Sequence, residues 1–203
     1  EILKRMVVEN PELPDLYFNE GRSVLLAGGH YNNWEWIATS LEQQIKHKTF
    51  ALYTPLSNKF FEKKMQQTRG KFGLTMVSIK KTAAFFEEYK NIPTATIFGI
   101  DQSPRNPEKC YWMDFLNQET GVLFGLEKYA KEYNYPVLFC AISKIKRGYY
   151  TVRFSLITDQ PQDTPHGWII EDTTQRLEQQ IIKNPQYWLW SHKRWKHKRK
   201  TES

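Results

Sequence analysis

Short apolar, β-rich runs alternate along this chain with longer amphipathic segments, and this alternation restricts the fold more than any other feature of the sequence. The runs predict strands at about 23–28, 49–54, 74–79, 94–100, 136–142 and 149–157. The amphipathic segments predict helices near 33–46, 57–70, 81–90, 121–134 and 166–183. Alternating strands and helices are typical of an α/β fold. The last two strands are joined across Lys146-Arg147-Gly148, which is typical of an antiparallel hairpin, so we expect a mixed, mostly parallel central sheet flanked by helices.

The size and charge of the chain indicate one domain with a basic end. Its 203 residues are 40% hydrophobic, which is enough for a core, and no segment resembles a linker. We therefore predict a single domain over 1–203 that ends in a basic tail at 193–203, which holds +5 of the formal charge of +7. Such a tail attracts polyanions, either a phosphate-bearing membrane surface or a nucleic acid. Three tryptophans beside the cations suit a membrane interface, but they could equally pack into the domain: Trp188, Trp190 and Trp195.

Several classes of protein lose support from what the sequence lacks. No run approaches 18 apolar residues, so we expect no segment here to cross a bilayer. Cys110 and Cys140 cannot form a disulfide framework, and the absence of a secretory signal favours a reducing, cytoplasmic environment. There is no nucleophile elbow, Walker loop or dinucleotide-binding glycine motif. The five histidines lack zinc-site spacing, so we predict no metal and no cofactor.

A histidine follows the first predicted strand in Gly28-Gly29-His30, where glycine lets a ligand approach the main chain. Asn32 is a favoured N-cap residue, and Glu35, three positions later, completes a capping-box pattern. This placement predicts that His30 lies in the strand-to-helix turn and that Glu35 lies in the first helical turn. His30 then suits a general base near neutral pH, with Glu35 orienting the imidazole or raising its basicity. The alternative is that His30 is structural and Glu35 only caps its helix.

A second carboxylate follows the strand predicted at 94–100. Asp101 could approach His30 from there, or Asp101 and Gln102 could fix a turn by hydrogen bonds. The segment from Asp101 to Thr120 has little periodicity, and we expect it to be an irregular connection that covers the site.

Two cations near the end of the predicted helix 57–70 are candidates for binding phosphate. Arg69 can grip a phosphate with its planar fork, and Lys71 is a weaker candidate. Both could instead stabilise the carboxyl end of the helix through its dipole.

These motifs, taken together, resemble a known family. Gly29-His30-x4-Glu35 resembles the His-x4-Asp/Glu motif of the glycerolipid acyltransferase superfamily, in the His-x4-Glu form of the lipid A late acyltransferases. Further blocks follow in the family's order: Asp101-Gln102-x-Pro104, Trp112-Met113-Asp114-Phe115-Leu116, Thr120-Gly121, Tyr135-Pro136-Val137-Leu138 and the ending from Asn184 to Trp195. The chain departs from the family at Asn32 and at Gln186-Tyr187, and residues 1–20 lack the family's apolar anchor, so we expect a fragment.

The resemblance implies a glycerol-phosphate acyltransferase-like domain. It implies an enzyme that moves a fatty acyl chain from an acyl carrier protein or acyl-CoA thioester to a hydroxyl of a lipid A precursor. The expected location is the cytoplasmic face of the inner membrane, where the chain is peripheral or anchored through a missing N-terminal segment. The expected partners are the acyl donor, the lipid acceptor and the inner-membrane surface, without nucleic acid.

We assign residues to this activity as follows. His30, Glu35 and Asp101 are the candidate catalytic residues, and the candidate substrate-binding residues are Arg69, Lys71, Asn33 and Gln102. One alternative is an acyltransferase for another membrane lipid, such as a glycolipid, an aminolipid or a lysophospholipid. The other is a non-enzymatic module that binds anionic lipid or nucleic acid through its tail.

Overall fold

The computed structural model describes residues 1–199, and a seven-stranded sheet organises them. The nine strands of this part of the chain are β1 (Met6–Val8), β2 (Val24–Gly28), β3 (Lys48–Tyr53), β4 (Thr75–Ser78), β5 (Thr94–Gly99), β6 (Tyr111–Phe115), β7 (Gln118–Val122), β8 (Val137–Lys146) and β9 (Tyr149–Thr158). The order across the main sheet is β1-β9-β8-β2-β5-β3-β4, and β6 and β7 form a separate antiparallel pair. Every pair in the main sheet is parallel except β8 with β9.

Helices flank the sheet on both faces. Within residues 1–199 they are α1 (Ile2–Arg5), α2 (Glu12–Asn19), α3 (Trp34–Ser40), α4 (Lys59–Arg69), α5 (Thr82–Tyr89), α6 (Gly125–Tyr133) and α7 (Trp168–Lys183). The predicted single-domain α/β architecture, with a mixed and mostly parallel sheet, is confirmed. No helix among these residues has both the length and the apolar character that crossing a bilayer requires.

The central strand β2 shows why the sheet is covered on both faces. Its residues Val24, Leu25, Leu26 and Ala27 are completely buried. Because successive side chains of a strand point to opposite faces, Leu25 and Ala27 join one core cluster while Val24 and Leu26 join another. A continuous apolar run without polar alternation is what a parallel strand between two helical layers requires.

Two features of the fold differ from the sequence-based expectations. The predicted helix 121–134 begins only at Gly125, because Val122 still belongs to β7. The segment predicted to be irregular contains the β6–β7 hairpin, whose turn residues Leu116 and Asn117 both have positive φ. That geometry matches the right-handed twist of a two-residue hairpin. The prediction of an irregular connection was therefore wrong for most of its second half.

Candidate active site

The parallel pairing of β2 with β5 brings two predicted site residues together. Gly28 pairs with Gly99 at the carboxyl ends of these strands, and the Ile100 N–H donates to the Gly28 carbonyl at 3.0 Å. His30 follows one strand and Asp101 follows the other, so both lie at the same edge of the sheet. This edge is where open α/β sheets place their ligands.

The imidazole of His30 and the carboxylate of Asp101 form a two-point contact. His30 Nδ1 lies 2.7 Å from Asp101 Oδ1, and the His30 backbone N–H donates to Oδ2 at 2.8 Å. The Asp101 side chain is 3% exposed, whereas that of His30 is 19% exposed. Asp101 therefore anchors the inner side of the imidazole and leaves the outer side at the surface.

The second ring nitrogen of His30 is the one available for chemistry. Gln102 Nε2 lies 3.3 Å from His30 Nε2, and an amide N–H can only donate. An ionised Asp101 requires the proton of the neutral imidazole on Nδ1, so the Nε2 lone pair is the acceptor for the Gln102 N–H. Both contacts thus favour the tautomer with its proton on Nδ1, whose unprotonated Nε2 can act as a general base.

A third hydrogen bond holds Asp101 ionised. The indole N–H of Trp188 donates to Asp101 Oδ2 at 2.8 Å. Burial raises the pKa of Asp101, but the hydrogen bonds from His30 and Trp188 and the charge of His30 outweigh burial and place this pKa below its usual value. The Trp-rich end of the chain was predicted to meet a membrane or pack into the domain, but spacing gave no sign that Trp188 reaches Asp101.

Glu35 has a different partner from the one expected. Helix α3 begins at Trp34 with Asn33 as its N-cap, and no side chain bonds the cap. Asn32 instead has a left-handed backbone with φ 56°, so the predicted capping box was wrong. The Glu35 carboxylate accepts from Arg69 Nε at 2.9 Å and also from Nη2.

The Glu35–Arg69 pair and the His30–Asp101 pair border the same indole ring. The Trp34 ring lies edge-to-face on His30, with ring centroids 4.6 Å apart. The Arg69 guanidinium lies 5.5 Å from the Trp34 centroid. Trp34 therefore connects the motif His-x4-Glu to Arg69 as one continuous wall of the site.

Two open grooves lie beside this wall, and Glu35 borders both. The larger has a volume of about 400 Å³ and is lined by Ile2, Glu35, Trp36, Thr39, Thr68, Lys71 and Phe72. The smaller has a volume of about 320 Å³ and is lined by Glu35, Leu56, Phe61, Lys64, Met65, Thr68 and Arg69. Apolar walls with a few cations suit an acyl chain joined to an anionic group.

The C-terminal segment closes the other side of the site. The Leu189 N–H donates to the His30 carbonyl at 3.1 Å, and the Ser103 N–H donates to His192 Nε2 at 3.0 Å. Burial lowers the pKa of His192 and outweighs the opposing effect of Asp101, so the ring remains the neutral acceptor that this bond needs.

The start of the predicted basic tail is packed against the domain. Arg194 is buried, with its guanidinium 6.0 Å from the Phe115 centroid, and burial lowers its pKa to about 10. Trp195 donates its indole N–H to Thr120 Oγ1 at 2.8 Å. Trp195 thus follows the alternative in which the tryptophans pack into the domain, and Arg194 packs beside it. The part of the tail at 200–203 lies outside the described residues.

Two glycines keep space open at the site. A Cβ on Gly99 would lie 3.1 Å from His30 Cε1, and a Cβ on Gly29 would lie 2.6 Å from the methyl groups of Leu177 on α7. Residues 1–199 contain no group of three or more His, Cys, Asp or Glu side chains arranged to hold a metal ion.

Comparison with known proteins adds a family to this geometry. The family model described as bacterial lipid A biosynthesis acyltransferase matches residues 1–197. A search of the curated proteins found no match. An acyltransferase family implies an enzyme with an acyl donor and a lipid acceptor, so the non-enzymatic alternative is not retained. The match covers nearly the whole chain, and the chain belongs to the bacterial lipid A biosynthesis acyltransferase family.

Proposed function

We propose that this acyltransferase moves a fatty acyl chain from an acyl carrier protein or acyl-CoA thioester to a hydroxyl of a lipid A precursor, with His30 as general base and Asp101 as its carboxylate partner. The observation that carries this proposal is the 2.7 Å contact between His30 Nδ1 and Asp101 Oδ1. It leaves Nε2 unprotonated and facing outward, beside Gln102. An acceptor hydroxyl would replace the amide of Gln102 as the hydrogen-bond donor to Nε2.

The proposed reaction is a direct transfer. The acceptor hydroxyl gives its proton to His30 Nε2 while its oxygen attacks the thioester carbonyl carbon. Asp101 stabilises the imidazolium that forms, because it is ionised and already bonded to Nδ1–H. When the carbon–sulfur bond breaks, the thiolate takes the proton from Nε2, and the products are the ester and the free thiol.

Glu35 and Arg69 are proposed to shape the substrate site rather than to exchange protons. The Nε and Nη2 donors of Arg69 face Glu35, which leaves Nη1 for an anionic substrate group. Lys71 lines the larger groove and would add a second positive charge. Asn33 lies in the turn between His30 and Glu35, as the N-cap of α3.

Because the proposed acceptor is a lipid, the proposed reaction takes place at a membrane surface. We propose that the chain acts at the cytoplasmic face of the inner membrane as a single acyltransferase domain. A peripheral association, or an anchor in sequence outside this chain, is compatible with helices that cannot span a bilayer within residues 1–199.

A transfer assay tests the proposal. Labelled acyl carrier protein and acyl-CoA thioesters are offered with lipid A precursors, glycolipids, aminolipids and lysophospholipids, using the wild-type protein and His30→Ala. We expect His30-dependent acylation of a lipid A precursor. Transfer only to another lipid would correct the acceptor, and undiminished transfer by a folded His30→Ala protein would refute the mechanism.

A further inference from the structure

Among the helices of eight or more residues within residues 1–199, α4 alone has no buried residue. Phe60 and Phe61 are 64% and 60% exposed on it, and Leu56, just before the helix, is also exposed. The ring centroids of Phe60 and Phe61 lie 5.6 Å apart, so the apolar surface is continuous at this point. Two neighbouring aromatic side chains on a solvent-exposed face indicate an interaction surface.

The charges around these rings are mostly positive. Lys59, Lys63 and Lys64 are all exposed, and no salt bridge within residues 1–199 involves them. Lys64 Nζ lies 6.0 Å from the Phe60 centroid. The exposed side of α4 therefore combines aromatic rings with unpaired cations.

The one acidic residue of α4 is held by hydrogen bonds. Glu62 accepts hydrogen bonds from the Leu56 backbone N–H at 2.8 Å and from the hydroxyl of Tyr53. These bonds account for the lowered pKa of Glu62, in which the Tyr53 bond is the largest cause. The charge of Lys59 also lowers this pKa, so Glu62 is ionised and balances one of the three lysines in part, which leaves α4 with a net positive charge.

We propose that α4 and Leu56 form a docking face for an anionic lipid surface. Phe60, Phe61 and Leu56 enter the boundary between headgroups and acyl chains, while the lysines meet lipid phosphates, which is how interfacial amphipathic helices bind. Charge complementarity selects this partner, because three lysines and one carboxylate leave the face with a net positive charge around its apolar centre.

Docking in this way has a consequence for the site, and this part rests on the proposed function. Phe61, Met65 and Arg69 of α4 line the smaller groove that leads to Glu35. A membrane lying on α4 would therefore meet the mouth of this groove. The lipid acceptor could enter the site without leaving the surface.

Vesicle binding tests the docking face with a matched control. Phe60→Ser is compared with Ile145→Ser, because Ile145 is also 64% exposed and lies on β8 between two lysines. We expect Phe60→Ser to weaken binding to vesicles containing phosphatidylglycerol by about fivefold or more, since it removes a phenyl ring that the membrane would bury. Ile145→Ser should bind like wild type, and Phe60→Trp should retain binding.

Charge is tested separately. Lys59→Gln combined with Lys63→Gln should reduce binding to phosphatidylglycerol vesicles and leave the weak binding to phosphatidylcholine vesicles unchanged. The proposal is wrong if this protein and Phe60→Ser both bind anionic vesicles like wild type. It is also wrong if they keep vesicle binding and lose affinity for an acidic carrier protein, because the face would then dock a protein.

The two proposals fail in different assays. Phe60→Ser should transfer normally to an acceptor in detergent micelles and more slowly to one in anionic vesicles. His30→Ala should bind vesicles normally and transfer in neither. Equal loss of transfer by Phe60→Ser in micelles and vesicles would overturn the docking role, whatever the result for His30.

Discussion

The hydrogen bond from Trp188 to Asp101 gives the sharpest prediction about the stability of the site. Trp188→Phe keeps an aromatic ring in the buried position and removes only the indole N–H and part of the ring surface. A hydrogen bond to a charged group is worth about 1.5–3 kcal/mol, so the free energy of unfolding should fall by about that amount. For a domain of this size, the loss corresponds to a Tm lower by about 3–12 °C.

Urea unfolding at neutral pH measures this loss, with Trp190→Phe as the control. Trp190 is exposed and donates its N–H to the neutral carbonyl of Pro185, so its loss should cost less than about 1 kcal/mol. Equal stabilities of Trp188→Phe and wild type would refute the reasoning that this bond stabilises a buried carboxylate.

The pH dependence of the same variant supplies a second check. Asp101 has a lowered pKa when folded, so its contribution to stability is complete above its usual value of 3.8 and is lost as pH falls through the folded value. The stability difference between wild type and Trp188→Phe should therefore shrink in that acidic range. A difference that stays constant would indicate that packing, and not the charge of Asp101, is responsible.

Three further predictions concern other parts of the fold. Glu35→Gln should change the free energy of unfolding by less than about 1 kcal/mol, because the Glu35 side chain is 43% exposed. It should raise the KM for the lipid acceptor, because Arg69 loses the carboxylate that holds it; an unchanged KM in a steady-state assay would contradict this. Burial lowers the pKa of His47 below 6.5, so the unfolded state binds more protons than the folded state just below that pH. The free energy of unfolding should therefore fall as the pH drops below 6.5, and unfolding curves of His47→Gln should show a weaker decline. Gly99→Ala places a methyl group against His30 and should lower kcat with little change in Tm; a normal kcat would show that the imidazole can move aside.

The strands of the sheet were predictable where the sequence contains a long apolar run. The run before His30 and the run before Asp101 became β2 and β5, because both are central strands of a parallel sheet and are buried along most of their length. Strand β1 has only three residues and no pattern of that kind, so it was missed. The hairpin strand β7 begins with Gln118 and Glu119, which are exposed, and this polar start hid it.

The structure brings four candidate residues into two pairs that the sequence could not predict. His30 contacts Asp101 and Glu35 contacts Arg69, but spacing could not show which carboxylate reaches the imidazole. That choice depends on β2 lying next to β5, which places Asp101 beside His30 and leaves Glu35 to face α4. Long-range neighbours of this kind are set by sheet order, which no local pattern encodes.

The most direct test of the account compares kcat at saturating donor and acceptor for three variants: His30→Ala, Asp101→Asn and Glu35→Gln. Loss of a positioned general base or of the carboxylate that fixes its tautomer costs about 10²–10⁴-fold. We therefore predict losses of that order for His30→Ala and Asp101→Asn, and a much smaller loss for Glu35→Gln. A nearly normal kcat for Asp101→Asn, with Glu35→Gln as inactive as His30→Ala, would contradict the assignment of Asp101 as the partner of His30.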